Sequence, residues 1–288
     1  MLTVSITKVP YSFFIEAFAQ SIIGGRTGIY IFQIINMFLV LVMIYKTIDL
    51  FKISLSVKIF CIVSFLLVLR LIFGEGNQTE EYSLLCSCIS LYITLKYFLL
   101  PSSNLSSLRI FILGLCLSVV FWTRPNNAGI IVGCILFLFI LTLKEKNIRL
   151  AAKYICFIFI GFLSLSFIIC SYFYYKGTLG DMLYSSFIFN FIYSKVGRAS
   201  GLRILQIIFY NLVVFVPLLG GILSYQKKNK DKNSILLLVC LFVCGFCFSN
   251  FGFKQFYYIA ALTPLVPVGF AFLERQCFIL FTKKTRLY

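Results

Sequence analysis

The sequence predicts an all-α protein, a polytopic transmembrane helix bundle of about nine spans plus interfacial amphipathic helices. Three observations carry this prediction. Apolar residues make up 61% of the chain, with 34 phenylalanines and a mean hydropathy of +1.00. Charged residues make up only 12%, about half the share of a soluble domain. The 26 basic residues, which give a net charge of +17, fall in short clusters between apolar runs. That is the placement of cytoplasmic loops rather than of a nucleic-acid surface, so nucleic acid is excluded as a partner and membrane lipids are expected.

The whole chain, 1–288, reads as a single membrane-embedded domain. Residues 1–8 carry no basic segment leading into an apolar run with a small-residue cleavage site, so they do not read as a signal peptide. Residues 10–23 are apolar but interrupted by Glu16 and Gln20, and they are too short to cross a core of about 30 Å. They predict an interfacial helix that begins at Pro10, a favourable first helical position. The stretch Gly24-Gly25-Arg26-Thr27-Gly28 ends it. Spans are then predicted at 28–48, 59–74, 82–100, 108–122, 127–143, 154–174, 203–224, 234–250 and 257–273. Between the sixth and seventh, residues 175–202 predict an external amphipathic segment lying on the membrane, with Gly197 to Gly201 as a flexible connection.

Orientation follows from the charges. Alternate loops hold 17 basic residues and the opposite set holds eight, with Arg70 inside the second span. The positive-inside rule therefore places 74–82, 123–127, 175–202 and 251–256 outside and the C-terminus in the cytoplasm. The first span then runs inward from an external N-terminus. Either residues 10–23 enter the membrane imperfectly or, as we expect, one more helix and part of an external loop precede Met1.

Eleven cysteines and no histidine leave little for metal or redox chemistry. Cys244-Gly-Phe-Cys247 has a redox-like spacing but lies inside an apolar run, where thiols read as small packing groups. Chemistry is therefore sought at the external turns. Asn77 with Glu80 three residues later fits an approximate capping box, and carboxylates suit the first turn of a helix. That leaves Glu81, and a ligand or metal role for the pair Glu80/Glu81 stands beside the cap. Arg70 lies one turn below the same loop, either snorkelling to the outer interface or facing inward to pair with a glutamate or a phosphate. In Trp122-Thr123-Arg124-Pro125-Asn126-Asn127, the tryptophan anchors, the proline turns and an asparagine caps. Arg124 has no such explanation, and an external cation there suits a phosphate. Lys254 sits among aromatic residues that either stack on a sugar or form an interfacial belt.

Several segments together resemble bacterial GT-C type membrane glycosyltransferases, the group that includes glycosyltransferase family 39 and the dolichyl-phosphate-mannose protein mannosyltransferase-like enzymes. They are Pro10–Ala17 with Gly25–Tyr30, Gly76-Asn77-Gln78-Thr79-Glu80-Glu81-Tyr82, Thr123-Arg124-Pro125-Asn126 and Gly252-Phe253-Lys254-Gln255-Phe256-Tyr257-Tyr258. The resemblance implies transfer of a sugar from a polyprenyl-phosphate donor to a glycan, glycolipid or protein acceptor on the outer face of a bacterial inner membrane. It implies that Glu80 or Glu81 lies near the donor phosphate or a divalent cation, Mg2+ or Mn2+. Glu81 has the stronger claim as metal ligand, because capping accounts for Glu80. Arg124 and Lys254, with Arg70, are the implied phosphate cations. One departure stands out: the family carries its catalytic aspartate in a first external loop, and no aspartate precedes Asp49 here. The catalytic residue is thus unassigned, and the chain is expected to be a fragment, inactive by itself. From other classes, a polysaccharide polymerase, flippase or transporter-like protein, or a non-catalytic membrane component, fits the same spans and outer cations.

Overall fold

The computed structural model describes residues 10–73, 78–100, 105–188, 201–250 and 256–284, and all regular structure among them is helical. In chain order the helices are α1 (Pro10–Ile22), α2 (Arg26–Asp49), α3 (Leu55–Ile72), α4 (Thr79–Leu99), α5 (Ser107–Thr123), α6 (Gly129–Lys144), α7 (Ile148–Tyr175), α8 (Leu179–Leu183), α9 (Gly201–Asn229), α10 (Lys232–Ser249) and α11 (Leu265–Lys284). Seven helical segments are long and apolar enough to cross a membrane, and Ser107–Thr123 and Leu265–Glu274 are apolar but shorter. Every predicted span thus has its helix, and the protein is an all-α membrane bundle.

The boundaries differ where charge misled the sequence reading. Helix α3 starts four residues before the predicted 59 and α7 six before the predicted 154. Lys58 and Arg149 ride on first turns, and Lys153 on the second turn of α7, instead of lying in loops. The start of α7 is fixed by Asn147, whose side chain accepts from the Leu150 N–H at 3.0 Å, a helix cap that leaves one orphan donor fewer. At the other end of the chain, the last helix begins at Leu265 rather than 257, and Phe256–Leu262 is a 3-10 segment. Pro264 lacks an N–H and pushes the residue before it out of the α region, so the helix restarts after it. Residues 175–202 also resolve differently. Helix α7 runs to Tyr175, α8 and a π-turn occupy Leu179–Ile188, and α9 already includes Gly201. Met182 of α8 packs on Trp122 and Ile169, so this part folds back onto the bundle. Residues 189–200 lie outside the described residues.

Three turns on the predicted cytoplasmic side share one device. Lys52, Lys146 and Lys230 follow α2, α6 and α9 with φ of 55°, 55° and 51°. A left-handed residue closing a helix end directs its N–H back to a late carbonyl, and a cation there complements the helix dipole. Their N–H groups donate to Asp49, Leu143 and Gln226.

Helix α4 forms the centre, with Leu84, Cys88, Leu91 and Leu95 buried, and packs against α2, α5 and α6. Around it α5 pairs with α7, α6 with α10, and α9 with α11. The α5–α7 contact is close enough that a Cβ on Gly114 would overlap the Ile158 carbonyl and one on Gly161 the Phe111 carbonyl. Small residues at such crossings let backbones approach where lipid supplies no hydrophobic drive. Trp122 Nε1 donates to Ser166 Oγ at 2.9 Å across the same pair. Outward faces carry Ile34, Phe38, Leu67 and Phe167, all exposed, as a hydrocarbon surround requires. Of the described cysteines, every one is free, with Cys244 buried and Cys247 exposed.

Candidate functional site

The start of α4, the end of α5 and the 3-10 segment before α11 meet at one end of the bundle. Helix α4 begins at Thr79, and Gln78 occupies the position ahead of it without making a side-chain cap. The capping-box register expected for Asn77 and Glu80 is therefore off by one, and Asn77 itself lies outside the described residues. Glu80 does something else. Its carboxylate is 1% exposed, accepts from Arg124 Nη1 at 2.9 Å through Oε1, and accepts from Thr79 Oγ1 at 3.0 Å through Oε2.

Arg124 reaches Glu80 because α5 stops beneath it. The Arg124 N–H donates to the Val120 carbonyl at 2.7 Å, and Pro125 then opens a 3-10 turn, Pro125–Ala128, that redirects the chain. The guanidinium donates through Nη2 to Tyr258 Oη at 2.9 Å and, more weakly, through Nη1 to Thr79 Oγ1 at 3.5 Å. Its central carbon lies 4.5 Å from the centroid of the Tyr258 ring and 5.8 Å from that of Tyr257. The cation is thus held by a carboxylate, a hydroxyl and aromatic faces together. Burial works against its charge, but Glu80 and the two tyrosines outweigh burial and raise its pKa, so it stays charged. Burial, more than any neighbour, pushes the Tyr258 phenol up, with Arg124 opposing, so the phenol stays protonated.

Glu81 is held from another direction. Its Oε2 accepts from Gln33 Nε2 at 2.9 Å, and its backbone carbonyl accepts from Asn36 Nδ2 at 2.9 Å. These contacts tie α2 to the first turn of α4. Gln33 and Asn36 are one turn apart in an otherwise apolar helix, a polar pair inside a span that sequence reasoning passed over and that could have been found from spacing alone.

Arg70, at the end of α3, is exposed and donates to the Phe73 carbonyl at 3.0 Å. It thus helps to satisfy the carbonyl end of α3. Lys254 lies outside the described residues. Among the described residues no three acidic, cysteine or histidine groups gather where a metal ion would be held. Glu80 is committed to a guanidinium, and Glu81 accepts from an amide through one of its oxygens. Thr79 and Tyr258 fall in the segments that carry the family resemblance, but neither is among the site residues expected from sequence.

No family model, curated protein or solved structure matches this chain. The fold and site define a helical integral-membrane protein with a partly buried carboxylate–guanidinium–phenol cluster at one end of its bundle.

Proposed function

We propose that this protein is a GT-C type glycosyltransferase component that handles a polyprenyl-phosphate sugar at the outer face of a bacterial inner membrane. The observation that carries the reading is the fixed guanidinium of Arg124. Three of its five N–H groups go to Glu80, Thr79 and Tyr258, which leaves two for the oxygens of a lipid phosphate. Its side chain keeps 24% exposure, so a ligand can reach it.

In the transfer step the acceptor hydroxyl oxygen bonds to the anomeric carbon. The bond from that carbon to the phosphate oxygen breaks, and polyprenyl phosphate leaves with the extra negative charge. Arg124 stabilises that charge, as fixed cations do where a leaving group ionises. Glu80 and Tyr258 act as positioning residues that hold the guanidinium in place. The acceptor's proton goes to a carboxylate; we assign Glu81, since Glu80 is committed to Arg124.

The reading is tested by incubating membranes carrying the protein with a radiolabelled polyprenyl-phosphate sugar. Arg124→Gln is expected to abolish transfer, and Arg124→Lys to weaken it strongly, because an ammonium lacks the planar fork. Unchanged transfer with Arg124→Gln, in a protein of normal abundance, removes the assignment.

A further inference from the structure

The site described above satisfies nearly all of its polar side chains, and the exceptions form a pattern. Among the described residues five buried side-chain polar atoms have no hydrogen-bond partner, and three of the five are Asn127 Oδ1, Asn127 Nδ2 and Gln78 Oε1. The other two are hydroxyls inside α4, Ser87 and Thr94. An unpaired buried polar atom loses its hydration without compensation, so an asparagine with neither end satisfied is a destabilising packing residue. Asn127 is 1% exposed.

Both residues sit on the segments that the Glu80–Arg124 ion pair clamps together. Gln78 directly precedes the first turn of α4, two residues before Glu80. Asn127 closes the 3-10 turn that Arg124 starts, its N–H donating to the Arg124 carbonyl at 3.0 Å. That turn cannot drift, because the next residue but one, Gly129, lies against the backbone of Cys244 and Gly245.

The chemistry of the unpaired atoms selects the ligand. They offer two carbonyl-type acceptors and one amide donor. A phosphate only accepts, so it would leave both acceptors unpaired. A cation would use the oxygens and leave the Nδ2 donor unpaired. A sugar hydroxyl donates and accepts at once, so neighbouring hydroxyls satisfy all three atoms. We propose that Asn127 and Gln78 form a hydroxyl-recognition subsite for the sugar carried by the donor lipid. This rests on the transferase reading and adds to it the residues that distinguish a glycosylated carrier from the bare one. Such discrimination is strong in kind, because a site built to pair a hydroxyl rejects the ligand that lacks it.

The test uses the full chain in detergent micelles. Its probes are undecaprenyl phosphate and undecaprenyl-phosphate sugars carrying glucose, galactose, mannose or N-acetylglucosamine, each assayed by direct binding. Wild type is expected to bind at least one glycosylated carrier about tenfold or more tighter than the bare carrier, a difference of about 1.4 kcal/mol. Asn127→Leu and Gln78→Leu are each expected to erase that preference while leaving affinity for the bare carrier unchanged. Removing an unpaired amide in favour of an apolar group of similar shape is expected to leave the thermal midpoint of Asn127→Leu unchanged or raised. A wild type that binds both kinds of carrier equally overturns the subsite and leaves the carrier-lipid reading standing. A wild type that binds neither overturns both. A preference that survives both leucine variants, with a lowered midpoint for Asn127→Leu, assigns the amide to a structural water and overturns the proposal.

Discussion

Arg124, at the end of α5, closes a 2.9 Å ion pair with Glu80 in the first turn of α4, and the carboxylate is 1% exposed. Breaking a buried pair from one side leaves an uncompensated charge and costs about 3–5 kcal/mol, the lower end applying here because the guanidinium keeps partial exposure. Glu80→Gln and Arg124→Gln are each expected to lower the thermal midpoint in detergent. The double variant is expected to be more stable than the summed losses predict, by about 1–3 kcal/mol of coupling. Strict additivity in that cycle removes the ion pair as a stabilising unit.

The helices were legible in the sequence because hydropathy and loop charge are local properties, and every span but the last was found to within about six residues; the last helix starts at Leu265, after Pro264, rather than at 257. The boundaries that slipped, at α3 and α7, are those where lysines and arginines sit on a first helical turn, which charge counting reads as loop. Arg124 was legible too, as the residue left over after an anchor, a turn and a cap were assigned to its neighbours, although Trp122 is buried against Ser166 and Asn127 makes no side-chain cap. Its partners were not. Tyr258 lies 134 residues away in sequence, and although it ends the Gly252–Tyr258 segment, nothing local marks it as the partner of Arg124. The reading that Glu80 caps a helix and Glu81 is the ligand rested on a helix start one residue early. Gln78 takes the cap position, and Glu80 pairs with Arg124 instead.

Tyr258 contributes both a ring and a hydroxyl to Arg124, and the two are separable. Tyr258→Phe keeps the ring face and loses the 2.9 Å hydrogen bond, an expected loss of about 1.5–3 kcal/mol for a bond to a charged donor. Tyr258→Leu loses the ring as well and is expected to be worse. The pH dependence has a definite sign. Burial raises the native phenol pKa above its ordinary value, so Tyr258 supports stability fully below about pH 10, the unfolded value, and that support is lost as the pH rises further. The thermal midpoint of Tyr258→Phe is therefore expected to fall less steeply than wild type above that pH. Parallel curves sink the assignment.

Asn211 of α9 and Asn250 just beyond α10 bind each other reciprocally, at 2.9 Å and 3.2 Å, while both are buried. An amide pair between membrane helices contributes about 0.6–2 kcal/mol. Asn211→Leu leaves the Asn250 side chain short of one partner and is expected to destabilise by about that amount. Replacing both by leucine removes the orphan and is expected to recover part of the loss. Thermal unfolding of the three variants decides it: a double variant worse than the sum of its parts rules out this account.

The crossing of α9 and α11 offers a test with an internal control. A Cβ on Gly221 would overlap the Gly269 carbonyl and press on Phe272 Cβ, and one on Gly269 would overlap the backbone of Pro217 and Leu218. Gly220, one residue earlier on the same helix, has nothing within 4 Å of that position. Gly220→Ala therefore gains helix propensity without a clash, worth up to about 1 kcal/mol in stability. Gly221→Ala gains the same propensity but must push two backbones apart, a strain of about 1–3 kcal/mol. The two neighbouring substitutions are expected to shift the thermal midpoint in opposite directions, upward at 220 and downward at 221. The crossing also bears on the site, because α11 follows the segment that carries Tyr258. If Arg124 holds the phosphate of a lipid as proposed, Gly269→Ala is expected to weaken that binding, whereas Gly220→Ala leaves it unchanged. Equal tolerance of alanine at 220 and 221 means that α9 and α11 are not held at backbone contact.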